Sequence, residues 1–250
     1  MTADASPGLS IEGPRATIRL CRPSQHNRID PSDLAVLQEH FERVLTDPGV
    51  RALVITGTGD QTFSSGYTIE AIREQLDDRF ERMLDTLESL PLPVVCALNG
   101  SAYGGATDLA LCCDFRIGVR GSRMFMPAAK FGMHYYPGGL RRYVTRLGLT
   151  PAKKLFLTAQ AIEAEEMLRI GFLTELVAPH GLSAAVQRYV DAIAGCDAGV
   201  LASMKRQLNQ TAEGNIDLAA QREAYERSLG SDELALRLAE HNARRPKKSS

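Results

Sequence analysis

The chain has 250 residues, 44% of them apolar and 24% charged, which is enough apolar material for one buried core and excludes an intrinsically disordered protein. With 29 Lys and Arg against 30 Asp and Glu, the net charge of −1 provides no broad field for nucleic acid or an anionic membrane, and neither is expected as a partner.

The first eight residues, MTADASPG, are polar and acidic where a secretory leader needs a basic start and an apolar centre, so they read as a frayed end. A hairpin follows: LSIEG turns at Gly13-Pro14 into ATIRLCR, where Ala16, Ile18 and Leu20 share one face. Leu34, Leu37, Phe41, Val44 and Leu45 recur at helical spacing, with Pro31 suited to a first turn and Pro48 beyond the end. A buried strand over Ala52 to Thr56 stops at Gly57-Thr58-Gly59. After a loop, the spacing of Ile69, Ile72, Leu76, Phe80, Met83, Leu87 and Leu90 predicts one long amphipathic helix, ended by Pro91 and Pro93.

The plan then repeats. Val94 to Leu98 reads as a strand, Asn99 to Tyr103 as a loop, and Gly104-Gly105 opens an apolar helix through Leu109 and Leu111, before a third strand over Phe115 to Val119. Strands separated by helices imply an α/β fold with parallel pairing, built of stacked ββα or βαβ turns over residues 1–185. From 186 to 241 only helical patterns remain, a helical C-terminal region, and residues 242–250 form a basic tail, ARRPKKSS after Asn242. The five cysteines (Cys21, Cys96, Cys112, Cys113 and Cys196) lack metal-type spacing. They read as reduced thiols of a cytoplasmic protein without a bound metal, and no run of about 18 apolar residues suggests a membrane span.

Two segments share one form. Phe63-Ser64-Ser65-Gly66-Tyr67 and Tyr103-Gly104-Gly105-Ala106 each place glycine where a loop becomes a helix, and the first turn of a helix leaves amide hydrogens unpaired. Side by side, the amides of Tyr67 and Gly105 would converge on one oxygen with the helix dipole behind Gly105, which is an oxyanion hole. The plain alternative is a pair of ordinary helix entries. Ser64 and Ser65 are not in a GxSxG frame, and Gly57-Thr58-Gly59 does not extend to a dinucleotide fingerprint because Thr62 stands where the third glycine would be.

The run from Asp47-Pro48 to Gly66, with Asn99 to Leu109, Cys113 to Ile117, Phe131-Gly132, Gly138 to Arg142 and Ala164 to Leu173, resembles the crotonase, or enoyl-CoA hydratase/isomerase, superfamily. The resemblance spans roughly residues 10 to 210 in order. It implies a crotonase-like stacked ββα spiral, helical C-terminal contacts in homotrimers that often pair as hexamers, and coenzyme A thioester substrates of the kind met in fatty acid metabolism. It also implies that Tyr67 and Gly105 hold the thioester carbonyl as it becomes an enolate. Ser64, Ser65, Gly66 and Gly104 then border the substrate, and Arg22 and His26, in the loop after the first strand pair, face the nucleotide end. No cofactor is implied beyond coenzyme A as part of the substrate.

The sequence departs from the hydratase pattern of two glutamates. The first position matches Asp108 and the second, after Pro127, matches Ala128, which cannot hold a proton. His134, Tyr135 and Tyr136 stand where the family places residues of the acyl pocket; the alternative is packed aromatics with satisfied polar tips. The expected function is therefore an acyl-CoA enzyme of the hydratase/isomerase type, a lyase, with Asp108 and Tyr135 or Tyr136 moving a proton or directing a water. A tyrosine-assisted decarboxylase or hydrolase, and a non-catalytic CoA-ester-binding scaffold, are the alternatives.

Overall fold

The computed structural model describes residues 4–243. Two strand runs, Ala52–Gly57 and Val94–Leu98, are buried at every position, so both of their faces must be covered. In chain order the elements are β1 (Gly8–Glu12), β2 (Arg15–Leu20), α1 (Asp33–Thr46), β3 (Ala52–Gly57), β4 (Thr62–Ser64), α2 (Ile72–Gln75), α3 (Asp78–Ser89), β5 (Val94–Leu98), β6 (Ser101–Tyr103) and α4 (Gly105–Cys112). They continue with β7 (Phe115–Val119), β8 (Arg123–Phe125), α5 (Pro137–Leu147), α6 (Leu149–Thr158), β9 (Ile162–Glu163), α7 (Ala164–Arg169), β10 (Glu175–Val177), α8 (Leu182–Ala194), α9 (Ala198–Ala212), α10 (Leu218–Leu229) and α11 (Asp232–Ala243).

The strands form two sheets. One has the order β1-β2-β3-β5-β7-β10 and the other β4-β6-β8-β9, parallel throughout except for the β1–β2 and β8–β9 pairs. Each turn of the chain therefore lays one strand in the large sheet, one in the small sheet, and then a helix: β3, β4, α3; β5, β6, α4; β7, β8, α5. This is the stacked ββα spiral. The small-sheet strands span three residues or fewer, too short for a period-two pattern to show, which is why Thr62–Ser64 and Ser101–Tyr103 read as loops in the sequence.

Alternation along the strands divides the core. Leu53, Ile55, Val94, Cys96 and Leu98 face the main cluster with Phe41, Phe80 and Leu84, whereas Ala52, Val54, Val95, Ala97 and Ile117 face Ala185, Val186, Val190 and Ile193 of α8. Helix α8 is thus the second cover of the large sheet, and the boundary expected at 185/186 falls inside it. The helices beyond are held differently. Lys205 of α9 bonds Asp114 at 2.8 Å and the Leu92 carbonyl at 3.0 Å, while α10 and α11 bury no residue within the chain.

Two further expectations change. The single helix over Ile69 to Leu90 is broken at Leu76–Asp77, where the Asp77 side chain accepts from Arg79 N and starts α3 afresh. Residues 4–8, expected to fray, are tied down: Ala5 N donates to the Cys21 carbonyl, and the His40 ring bonds the Pro7 carbonyl at 2.8 Å. Residues 1–3 and most of the basic tail, 244–250, lie outside the described residues.

Candidate active site

Parallel pairing of β4 and β6 opens their carboxyl ends in the same direction, so the chain leaving each meets the other. After β4, Ile29 N donates to the Gly66 carbonyl at 2.8 Å and Thr68 N to the Ile29 carbonyl at 3.0 Å. In such a parallel bridge the intervening residue, Tyr67, turns its own N–H to the opposite side. That side is occupied by the turn into α4. Gly66 has φ +83°, and a Cβ there would lie 2.7 Å from Gly105 N; a Cβ on Gly105 would lie 3.6 Å from Tyr67 N. Gly66 is required by this close approach, whereas a Cβ on Gly105 would meet the Phe80 ring at 2.9 Å. Gly104, at φ +53°, donates its N–H to the Phe125 carbonyl and accepts from Thr107, leaving Gly105 as the first residue of α4. Among the described residues neither Tyr67 N nor Gly105 N has an acceptor.

These two amides border a cleft of about 820 Å³. Its walls are largely apolar: Ile69, Ile72 and Leu76 from the broken helix, Phe80 from α3, Phe125 and Met126 at the end of β8, and Phe131 and Met133 before α5. Tyr135 and Tyr136 form the far wall, stacked with ring centroids 4.4 Å apart.

Behind the tyrosines lies a polar seam between α4 and α5. Asp108 is fully buried and receives Arg142 Nε on Oδ1 at 2.9 Å and Arg142 Nη2 on Oδ2 at 3.2 Å. The Tyr136 hydroxyl also donates to Oδ2, and the Tyr135 hydroxyl approaches it at 3.4 Å. Arg142, equally buried, bonds Asp85 at 2.8 Å and Glu88 at 3.1 Å as well. Burial works against its charge, but the surrounding carboxylates prevail and the guanidinium pKa rises. Burial pushes the Tyr135 and Tyr136 phenols well above the ordinary value, and the negative charge of Asp108 adds to it. Both phenols are therefore neutral at physiological pH, and the Tyr136 proton is committed to Asp108.

The structure thus gathers Tyr67, Gly105, Gly104, Ser65, His134, Tyr135 and Tyr136 around one cleft, with Asp108 directly behind its wall. It places the other expected residues elsewhere. Ser64 is buried, donating to the Asn27 carbonyl and accepting from Gly66 N, and so braces the Gly66 turn. Arg22 is bound by Asp33 and Asp30, and His26 bonds Thr62 beside a separate hollow of about 130 Å³. Arg142 enters the sequence reading only as the end of the run Gly138 to Arg142. Its signal was available: Gly139, Arg142 and Tyr143 fall on one face of α5, and a cation on a buried face requires a buried anion.

Residues 12–233 match the family model described as enoyl-CoA hydratase/isomerase. The chain belongs to the enoyl-CoA hydratase/isomerase family. It is 30% identical over 223 residues to a crotonyl-CoA hydratase of Syntrophomonas wolfei, covering 86% of each chain. It is 34% identical over 180 residues to a carnitinyl-CoA dehydratase of Salmonella arizonae, covering 70% of this chain and 69% of the relative. The fold matches an enoyl-CoA hydratase from Bacillus anthracis with a TM-score of 0.87 at 23% identity, over 96% of this chain and 97% of that one. Ala128, after Pro127 where the resemblance implies a second glutamate, lines the cleft, buried, and offers no acid. No helix among the described residues is long and apolar enough to cross a membrane.

Proposed function

We propose that this family member hydrates an enoyl-CoA thioester, its carbonyl oxygen held by the amides of Tyr67 and Gly105 while charge builds on it. The observation that carries the reading is the pair of acceptor-free amides, brought together by Gly66 and opening on an apolar cleft. A thioester stabilises an adjacent carbanion when the oxygen receiving the charge meets fixed donors, and a dry wall strengthens them. Tyr136 directs the water. Its own hydrogen is spent on Asp108, which leaves its oxygen an acceptor on a residue that lines the cleft. Asp108 in this reading positions Tyr136 and does not itself meet the substrate. No cofactor enters the chemistry beyond the coenzyme A that the substrate carries. The exposed apolar residues of α10 and α11, including Leu218, Tyr225, Leu229 and Leu238, support burial in a homotrimer or a pair of trimers, and the five free cysteines support a reducing, cytoplasmic setting.

Ala128 favours a second reading, because decarboxylation or thioester hydrolysis needs fewer acids. Against decarboxylation of a malonyl-type ester stands the cleft itself: among the described residues lining it there is no Lys or Arg to receive a second carboxylate. The two readings part on substrate. Hydration predicts loss of the conjugated enoyl absorbance of crotonyl-CoA with no carbon dioxide from methylmalonyl-CoA. Carbon dioxide release without hydration would reverse the assignment, and tight CoA-ester binding with neither reaction would mark a scaffold.

A further inference from the structure

We propose that Glu81 of α3 is the proton-transferring carboxylate of this cleft, a role that rests on the hydration reading above. Phe80 fixes its place. That ring lies against Gly105, at 2.9 Å from where a Cβ would stand, and packs edge-on to Tyr67 and Tyr136 at centroid distances of 5.4 and 6.3 Å. The next residue along the helix, Glu81, is carried to the same wall and lines the cleft beside Tyr136 and Pro137. Its Oε1 accepts from Gly138 N at 3.1 Å, in the first turn of α5, where Pro137 has no N–H to offer. The carboxylate is thereby oriented through one oxygen, while Oε2 has no partner among the described residues.

The other acids near the cleft are differently placed. Asp77 and Asp78 line the cleft as well but are exposed and held by Arg79 and Arg82, and Asp108 lies behind the phenols with Arg142. Glu81 alone among them has no cationic partner among the described residues and keeps an oxygen on the cleft. It supplies on α3 what Ala128 cannot supply after Pro127.

The step balances with one base. As the water oxygen bonds to Cβ, one water proton passes to Glu81 and the Cα–Cβ π pair moves through Cα toward the carbonyl oxygen held by the two amides. The enolate then reforms its carbonyl while Cα takes the same proton back from Glu81, so one water is consumed and the carboxylate is regenerated.

The test uses full-length protein and crotonyl-CoA. Glu81→Gln keeps an acceptor for Gly138 N and removes the base. Its kcat should fall about a hundredfold to ten-thousandfold, with KM and thermal midpoint close to wild type, and formate should restore part of the activity of Glu81→Ala. Wild-type kcat in Glu81→Gln overturns the proposal. So does a loss confined to KM or accompanied by a lowered midpoint, or an Ala variant indifferent to formate, since each leaves Glu81 only as a cap on α5. A wild-type protein inert toward crotonyl-CoA removes the hydration reading itself, and this proposal with it.

Discussion

The two walls of the cleft use the same chemical group in opposite ways. Behind the tyrosines, in the α4–α5 seam, Asp108 is surrounded by two guanidinium nitrogens and two phenols and sees no solvent. In the α2–α3 wall, Glu81 is half-buried, bonded to one backbone amide, and open on its other oxygen. The first is a closed structural unit and the second a reagent. A carboxylate at a familiar motif position is thus no guide to its work until its neighbours are known, because bonds to cations and hydroxyls use the lone pairs that proton transfer would need.

Breaking the seam should have the largest effect. Arg142→Met leaves Asp108 buried without its cation, while Glu88 keeps Arg141 and Arg146, and should cost about 3–5 kcal/mol in urea unfolding, enough to threaten folding itself. Arg142→Met with Asp108→Asn removes both charges of the pair and should recover part of that loss; a double variant as unstable as the single one would show that the pair is not the seat of the energy. Next comes the amide pair. Gly66→Ala puts a methyl 2.7 Å from Gly105 N at a φ of +83°, so the two donors must separate, and kcat should fall on the order of a hundredfold to a thousandfold while the chain stays folded. Tyr136→Phe removes the acceptor for water together with the hydroxyl's bond to Asp108, and the lost water contact should cost roughly tenfold in kcat, the worth of one net hydrogen bond. A Tyr136→Phe enzyme at full rate would leave Glu81 to orient the water unaided.

Much of the large sheet was legible because β3 opens with four apolar residues and β5 is apolar throughout, both between turn residues, and β7 follows in the same plan. The small sheet was not, since three residues cannot display a period. Around the site, glycines at 66, 104 and 105 gave away the amide pair, because a close backbone approach needs residues without a Cβ. Asp108 was visible as an acid but not as a bound one: its partner Arg142 is 34 positions away and reaches it only once α5 packs on α4. Arg22 was likewise visible as a cation but not as a paired one. A loop arginine suggests phosphate, yet here Asp30 and Asp33, brought back by the turn into α1, claim it. Glu81 carried no motif at all. Its place follows from Phe80, the neighbour that packs on Gly105 and Tyr67, and that packing shows only in the fold.

The smallest effect expected is one invisible at neutral pH. Tyr135, Tyr136 and Tyr143 are each held well above the ordinary phenol value of 10.0, first by burial and then by the charge of Asp108. A group whose folded pKa is raised contributes stability that is complete below its unfolded value and is lost as pH rises toward the folded one. Alkaline titration should therefore leave these three of the seven tyrosines un-ionised until circular dichroism reports unfolding, with their tyrosinate absorbance appearing in that same step. Asp108→Asn removes the negative charge but not the burial, so Tyr136 should ionise at lower pH than in the wild type, still above 10. Should all seven titrate near pH 10 with the fold intact, water reaches the seam, and the contrast between a closed Asp108 and an open Glu81 disappears.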